Sequence, residues 1–542
     1  MIFARTERRT LRVAGGLALG TVLVFVGAAT AVLLAHAGPG SGAPLLDAYI
    51  GRVAQFTLLQ ATLSTLLSVL LAIPVARALA RQRDFSGRVW IIRLSVVPLG
   101  LPALVAALGV IEVWGRQGVV NDLLGLAGLQ NPVSVYGLAG ILIAHVFFNL
   151  PLAARFLLAA LERIPAEYWL TSANLGMGSG AVFRLIEWPV IRRVLPGIAG
   201  LVFMLCATSF TIALTLGGGP AATTIEVAIY QALRFDFDPP RAIALAALQI
   251  AMTGLMLLLL RHLATEPEEG MTGGRTVRRF DGTSRITRLG DGAWITLAFL
   301  FLAAPLVAVV ISGLEADLLK LAGDKSVHRA LLTSAAIALA SAFASVTMAA
   351  VMIRAAATVT APRSTTLIAR GFAGTIAAST SLILLVPPVV LGAGWFLLLR
   401  PLGDVARFAP AIVVAINALM ALPFVHRILA PAMATHAARS ERLTASLGIR
   451  GFDRLRWIDF PALRKPLLMA LSFAMALSLG DLGAVALFGS QDMVTLPWLL
   501  YSRMGSYRTA DAAGLALFLG LLCLIFTILG TANDSRPEGR KA

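Results

Sequence analysis

Apolar residues run through this chain in long unbroken blocks, each closed by a short polar stretch. The blocks fall at about 13–35, 54–76, 94–114, 135–158, 195–216, 242–263, 293–313, 330–353, 372–399, 409–430, 467–488 and 512–531. Crossing the hydrocarbon core of a bilayer takes ~20 apolar residues in a helix, and each block is near that length. Backbone groups in lipid must be satisfied within the segment or by a closed barrel. The apolar/polar alternation of a barrel strand is absent from these blocks, so the pattern predicts helices. The expected fold is an all-α polytopic membrane protein with twelve transmembrane helices.

The polar breaks between blocks carry more information than the blocks. The least apolar lies at 264–292, ATEPEEGMTGGRTVRRFDGTSRITRLGDG. Its glycine and charge are linker chemistry, and it divides the chain into six blocks plus six. Two other breaks are one segment written twice. Laid without a gap on Leu443 to Lys465, the stretch Thr171 to Arg193 places Ala173, Leu175, Gly176, Arg184, Ile186, Pro189 and Arg192 on Ala445, Leu447, Gly448, Arg456, Ile458, Pro461 and Arg464. Glu187 and Asp459 share a charge at one position. Pro151 and Pro423 match in the preceding block, and Pro98 and Pro102 are echoed by Pro387 and Pro388. Two tandem six-helix repeats of the same orientation follow, related by an axis along the membrane normal. The expected boundaries are 1–53 (tail, first helix and outer loop), 54–263 (first copy), 264–292 (linker), 293–329 (seventh helix and outer loop), 330–531 (second copy) and 532–542 (tail).

Each repeated break reads as a short helix, a turn, and a second helix stopped by proline. Pro165 and Glu167 suit the first turn of a helix. Gly176 and Gly448 suit left-handed closure of a helix end. Pro189 and Pro461 lead into the next span, with Arg192, Arg193, Arg464 and Lys465 placed to snorkel at the membrane edge. A duplicated pair of interfacial amphipathic helices would also explain the likeness. It explains less well why the agreement concentrates in polar loops, which are usually the more variable parts and the carriers of function. A repeated polar loop suggests a repeated job, most simply holding one partner per copy.

Composition enters here. The chain has 542 residues, 58% hydrophobic and 13% charged, with a formal charge of +17. Such a charge suggests nucleic acid until its distribution is seen. With the N-terminus inside, roughly three quarters of the Lys and Arg fall on the cytoplasmic side, the positive-inside bias. That predicts cytoplasmic termini and cytoplasmic repeated loops, with membrane lipid rather than nucleic acid as the partner of the basic residues. The first block follows Arg5, Arg8, Arg9 and Arg12 and is longer than the ~7–15 residues of a secretory h-region, so it reads as an uncleaved helix. Cys206 and Cys523 each sit alone in a block, which supports neither a disulfide nor a zinc framework. None of the four lysines (Lys320, Lys325, Lys465, Lys541) follows a glycine, so the chain lacks a phosphate-binding P-loop. No His-Glu-x-x-His site or hydrolase triad is evident, and no catalytic or metal site is expected.

Asp481 lies inside the eleventh block between Gly480 and Gly483. A charge at the centre of a membrane helix costs ~2.5–3.5 kcal/mol on insertion scales, so it should face an interior or water. A gate or path lining at Gly480, Asp481 and Gly483 and a local packing hydrogen bond are both open. Glu112, His145, Asn149 and Asn417 are further polar residues within blocks, with His145 read as structural.

The spacing Ala-x-Leu-Gly followed at a fixed distance by proline resembles the EAA loop of ABC importer permeases. Two copies in one chain resemble the fused permeases of the ferric-iron and thiamine importers, and the stretch Ser478–Asp511 looks like the thiamine branch. The resemblance implies a type I importer permease that binds no cofactor. It implies two copies of a separate ABC ATPase, which uses the ATP, and a periplasmic binding protein that delivers thiamine or its phosphate esters. The coupling residues would be Ala173, Leu175, Gly176, Arg184, Glu187 and Pro189 in one loop and Ala445, Leu447, Gly448, Arg456, Asp459 and Pro461 in the other. The location would be a bacterial inner membrane. One departure stands out. The leading Glu-Ala-Ala falls on Leu170-Thr171-Ser172 and Arg442-Leu443-Thr444, without the glutamate. A ferric-iron permease is the alternative within the class. An ion-coupled secondary transporter and a non-transporting scaffold are alternatives outside it.

Overall fold

The computed structural model describes residues 5–36, 47–128, 134–263, 279–359, 371–372, 374–376, 379, 383, 386–449, 451–489, 493–506 and 508–531. Among them every regular element is a helix. Eleven helices are long and apolar enough to cross a membrane. The block at 372–399 lies partly outside the described residues, and its end falls in a shorter apolar helix, Pro388–Leu402.

In chain order the helices used below are α1 (Arg5–His36), α2 (Ala48–Arg81), α3 (Ala103–Trp114), α4 (Leu138–Glu162), α5 (Ala166–Asn174), α6 (Trp188–Ala207), α7 (Phe210–Leu216), α8 (Ile225–Arg234), α9 (Pro239–Leu263), α10 (Arg285–Glu315), α11 (Lys325–Val359), α12 (Pro388–Leu399), α13 (Ala409–Ser446), α14 (Phe460–Leu479), α15 (Gly483–Phe488), α16 (Leu496–Gly505) and α17 (Thr509–Thr531). The third block does not form one helix from residue 94. Leu101 is extended, ψ 134°, because a residue before proline is pushed out of the helical region, and α3 starts after Pro102.

The chain forms two compact units that do not follow the order of the sequence. One holds Leu45–Ala228 with Ala251–Glu315, and the other holds Met1–Pro44, Ile229–Ile250 and Ala316–Ala542. The first helix therefore belongs to the unit that holds the second repeated loop, and the seventh to the unit that holds the first.

Small residues explain the exchange, since apolar surface alone gives membrane helices little reason to choose a neighbour and close backbone approach does. In the first-repeat unit, α2, α4 and α6 share a core of Val75, Ala76, Ala153, Leu157, Ile198 and Val202, and Ile295 and Ala298 of α10 complete it. Gly109 of α3 meets α10 so closely that a Cβ there would lie 2.6 Å from the Pro305 carbonyl oxygen. In the second-repeat unit, Leu19 and Val22 of α1 enter the core of α11, α13 and α14. A Cβ on Gly15 would collide with Ala355, and one on Gly394 with Ala29. Phe25 stacks on Trp395 at 4.6 Å, and Arg12 bonds the Thr358 carbonyl at 3.2 Å.

The membrane helices that follow the two repeated loops are interrupted at aligned positions. Thr208 and Ser209 separate α6 from α7, and Gly480, Asp481 and Leu482 separate α14 from α15.

Candidate functional site

The first repeated loop is built from the bottom of α4. Pro165 takes the N-cap position of α5, with Glu167 in the first turn. The helix closes with the two bonds of a Schellman motif, Met177 N–H to the Ser172 carbonyl at 2.9 Å and Gly176 N–H to the Ala173 carbonyl at 3.0 Å. Gly176 has φ +60° and Gly448 φ +64°, the left-handed closure expected at both. A Cβ would meet nothing within 4 Å at either position. Backbone angle rather than packing therefore calls for glycine.

The second loop differs from its expected form. No separate short helix precedes Gly448. Instead α13 runs unbroken for 38 residues from span into loop. The position aligned with Pro165 is Ala437, so nothing forces an extended residue there.

The expected stop at proline is also absent in both copies. Ser179–Val182 passes through a π turn, Phe183–Glu187, straight into α6, and Gly451–Arg454 passes through Leu455–Asp459 into α14. Pro189 and Pro461 have no N–H to donate, and their rings crowd the carbonyl four residues back. A wider turn just before them relieves both problems and keeps the helix continuous.

Each π turn ends in the repeated acid, and each acid is buried and held by arginine. Glu187 takes Arg77 Nε at 2.6 Å and Arg279 at 2.7 Å. Arg279 also bonds Asp281 at 2.7 Å and lies 4.0 Å over the Trp169 ring of α5. Arg77 lies 4.1 Å over Phe183. Burial works against the charge on Arg279, but bonds and charges from Asp281 and Glu187 outweigh it and hold the guanidinium above its ordinary range. Beside this group, Arg81 joins Asp291 at 2.5 Å and Ser179 Oγ at 2.5 Å. In the second loop Asp459 takes Arg354 at 2.7 Å and His436 Nε2 at 2.9 Å, with Arg454 at 3.7 Å.

The loop tips face outward. Leu175 and Leu447 are 70% and 61% exposed, and Tyr168, Leu185, Phe452 and Trp457 are exposed with them. Gly176, Arg184, Gly448, Arg456 and Pro461 are exposed, while Ala173 and Pro189 are half-buried. Ala445 lies in the last turn of α13. The structure thus separates exposed residues at each loop, such as Leu175, Gly176, Leu447 and Gly448, from a buried acid, Glu187 or Asp459. It adds Arg77, Arg279, Arg354 and His436, which loop comparison alone did not single out. One signal was available: aligning Ala48 with Lys325, the starts of α2 and α11, puts Arg77 on Arg354.

Asp481 lies at the interruption between α14 and α15. Its Oδ1 accepts the Gly483 N–H at 3.1 Å and its Oδ2 the Ala484 N–H at 3.3 Å. Gly480 closes α14 in a helical conformation. Ser209, the aligned residue of the first repeat, makes no such cap. The other polar residues within blocks bond across helices: Glu112 to Ser312 at 2.9 Å, His145 to Ser64 at 2.9 Å, Asn149 to Cys206 at 3.3 Å and Asn417 to Ser478 at 2.9 Å. These pairs tie span to span.

Comparison with known proteins finds relatives over nearly the whole length. The chain is 53% identical to the thiamine transport system permease protein ThiP of Brucella suis biovar 1 (strain 1330) over 532 residues, 98% of this chain and 96% of that protein. It is 45% identical to the protein of the same name in Escherichia coli (strain K12) over 89% of each. To that of Haemophilus influenzae (strain ATCC 51907 / DSM 11121 / KW20 / Rd) it is 36% identical over 98% of each. No protein-family model matches.

Proposed function

The chain belongs to the thiamine transport system permease family, and on that premise we propose that it is the membrane-spanning subunit of an ATP-driven importer for thiamine or its phosphate esters. It is a multi-pass membrane subunit rather than an enzyme. In this reading ATP hydrolysis belongs to two copies of a separate ABC ATPase, one per repeated loop, and a periplasmic binding protein delivers the substrate in a bacterial inner membrane. The relatives favour thiamine over the ferric-iron alternative.

One observation carries the coupling: two loops of matched sequence each present an exposed apolar tip, and the second helix of each runs through a π turn without a break into a membrane helix, α6 or α14. A push on the second helix of either loop, where Leu185 and Trp457 are exposed, reaches α6 or α14 through helical backbone. The coupling residues are those of the two loops, with the acids Glu187 and Asp459 as inner anchors. The missing EAA glutamates leave the apolar tips and the glycine turns to make the contact. Positive-inside bias favours the cytoplasmic side for these loops and for both termini. Alternating access is the mechanism: ATP-driven closure of the partner draws the loops together and opens the path toward the binding protein.

Gly480, Asp481 and Gly483 are proposed to line that path. Support comes from the interruption of α6/α7 and α14/α15 at corresponding positions, the kind of helix break that builds midplane sites in repeat transporters. Thiamine carries a fixed positive charge on its thiazolium ring, which suits a carboxylate there.

The test is reconstitution. The chain is purified with its candidate ATPase and binding protein, placed in liposomes, and assayed for thiamine uptake. The expected result is uptake that needs internal ATP and the binding protein. Uptake that persists without ATP and follows an imposed proton or sodium gradient would sink the reading.

A further inference from the structure

The stretch that sequence reads as a linker does more than join two repeats. Its described end, residues 279–291, lies against the first repeated loop. Arg279 has a side chain only 1% exposed and reaches three parts of that loop's surroundings at once: the Glu187 carboxylate, Asp281 in its own segment and the Trp169 face. Three residues beyond Arg279, the Gly282 carbonyl accepts a bond from Gln82 at the end of α2, 3.2 Å. Asp291 then takes Gln82 at 3.0 Å and Arg81, whose other nitrogen holds Ser179 in the loop. The segment is stitched at both ends to the helix that anchors the loop and to the loop itself.

Among the described residues the second repeat has no counterpart to this. Its acid is held by Arg354, which aligns with Arg77, and by His436 and Arg454 from α13 and the loop's own second helix. Every one of these partners belongs to the repeat. Arg279 alone comes from outside the repeated pattern.

We propose that Arg279 is a positioning residue that braces the first coupling loop, so that the segment joining the halves makes the two ATPase contacts mechanically unequal. Its functional half rests on the coupling reading above, while its mechanical half does not. A flat guanidinium wedged between a carboxylate pair and an indole face fixes both the π turn that carries Glu187 and the α5 helix that carries Trp169. The first loop then moves with α2 as one body. The second loop, lacking the brace, turns more freely at the end of α13. Force applied at the first tip reaches α6 with less lost motion than force applied at the second reaches α14.

Spin labels test this on the full chain in lipid nanodiscs. Leu175→Cys and Leu447→Cys, at the exposed tips, are labelled one at a time, and the unsubstituted chain, whose Cys206 and Cys523 are buried, serves as the blank. In Arg279→Gln the nitroxide at 175 is expected to become more mobile while that at 447 is unchanged. Arg354→Gln is expected to do the reverse. Asp281→Asn keeps the Arg279–Glu187 pair and guards against misfolding, with a smaller increase at 175. Unchanged mobility at 175 in both Arg279→Gln and Asp281→Asn would overturn the brace. Thiamine taken up per ATP hydrolysed is expected to fall several-fold in Arg279→Gln and to recover in part in Arg279→Lys. A normal ratio alongside a loosened tip would overturn the functional half. Failure of the unsubstituted chain to show ATP-dependent uptake would sink the coupling reading, and the label at 175 would still decide the brace.

Discussion

Glu187 and Asp459 occupy the same position in the two repeats and are held in different ways. Around Glu187, three carboxylates (Glu187, Asp281, Asp291) face three guanidiniums (Arg77, Arg81, Arg279), and the Glu187 and Arg279 side chains are 0% and 1% exposed. Around Asp459, among the described side chains, one carboxylate meets two guanidiniums and an imidazole, with Arg354 23% exposed. In the first set the Glu187–Arg279 pair is closed from water by a segment outside the repeat, while Arg77 at its edge is 17% exposed. The second is held by groups of its own repeat, and its Arg354 is partly open to water. Duplication preserved the anchor and let its surroundings diverge, and a buried ion pair is worth more to break the drier it is.

The comparison can be broken most directly at the acids. Glu187→Ala leaves two arginines facing a dry gap and is expected to cost about 3–5 kcal/mol, whereas Asp459→Ala leaves groups that water reaches and is expected to cost about 1–3 kcal/mol. Thermal melts of both variants in one detergent give the order, and equal losses would mean the two anchors are equivalent after all.

A second change sharpens the contrast in backbone. Ala437→Pro puts into α13 the residue that breaks the first loop from α4. Inside a continuous helix it is expected to cost about 3 kcal/mol, read as a drop in helical circular dichroism and melting temperature. A negligible cost would show that α13 is already loose at that point.

At the glycine turns the two loops should behave alike. Gly176→Val and Gly448→Val each force a branched side chain into φ near +60° and are expected to cost about 1–2 kcal/mol. The double variant is expected to lose both ATPase co-purification and thiamine uptake; survival of both would remove the docking role.

The smallest effect is reserved for Pro165→Ala. Only the preset entry angle of α5 is lost, about 0.4–1 kcal/mol, and uptake should stay close to that of the unsubstituted chain. A large fall in uptake would show that the break before α5 is itself part of the coupling.

The loops were readable to different depths. Left-handed closure at Gly176 and Gly448 could be foreseen because it depends on a single residue's backbone freedom and the helix behind it. The π turns could not, because proline signals that the ladder is disturbed without saying whether the chain stops or widens. Separate short helices were expected in both loops from the repeat alone, yet the absence of a proline at Ala437 was already visible in the sequence and decides the matter for the second. The partners of the acids lay far off, Arg279 at 92 positions from Glu187 and Arg354 at 105 from Asp459. Only the match between Arg77 and Arg354 hinted at them.

By itself the sequence determined that the chain is helical and membrane-spanning, that its polar loops repeat, and which residues turn the backbone within them. These follow from local rules: the length of an apolar block, the conformational range of glycine, the missing donor of proline. Tertiary structure alone decided that α1 joins the second-repeat unit and α10 the first, and that a linker arginine closes one anchor and not the other. Helices apolar on every side carry no periodic stripe to say which neighbour they choose. That choice is made by small residues such as Gly15 and Gly109, which admit a close backbone, and by buried charges that must find a partner somewhere in the folded chain.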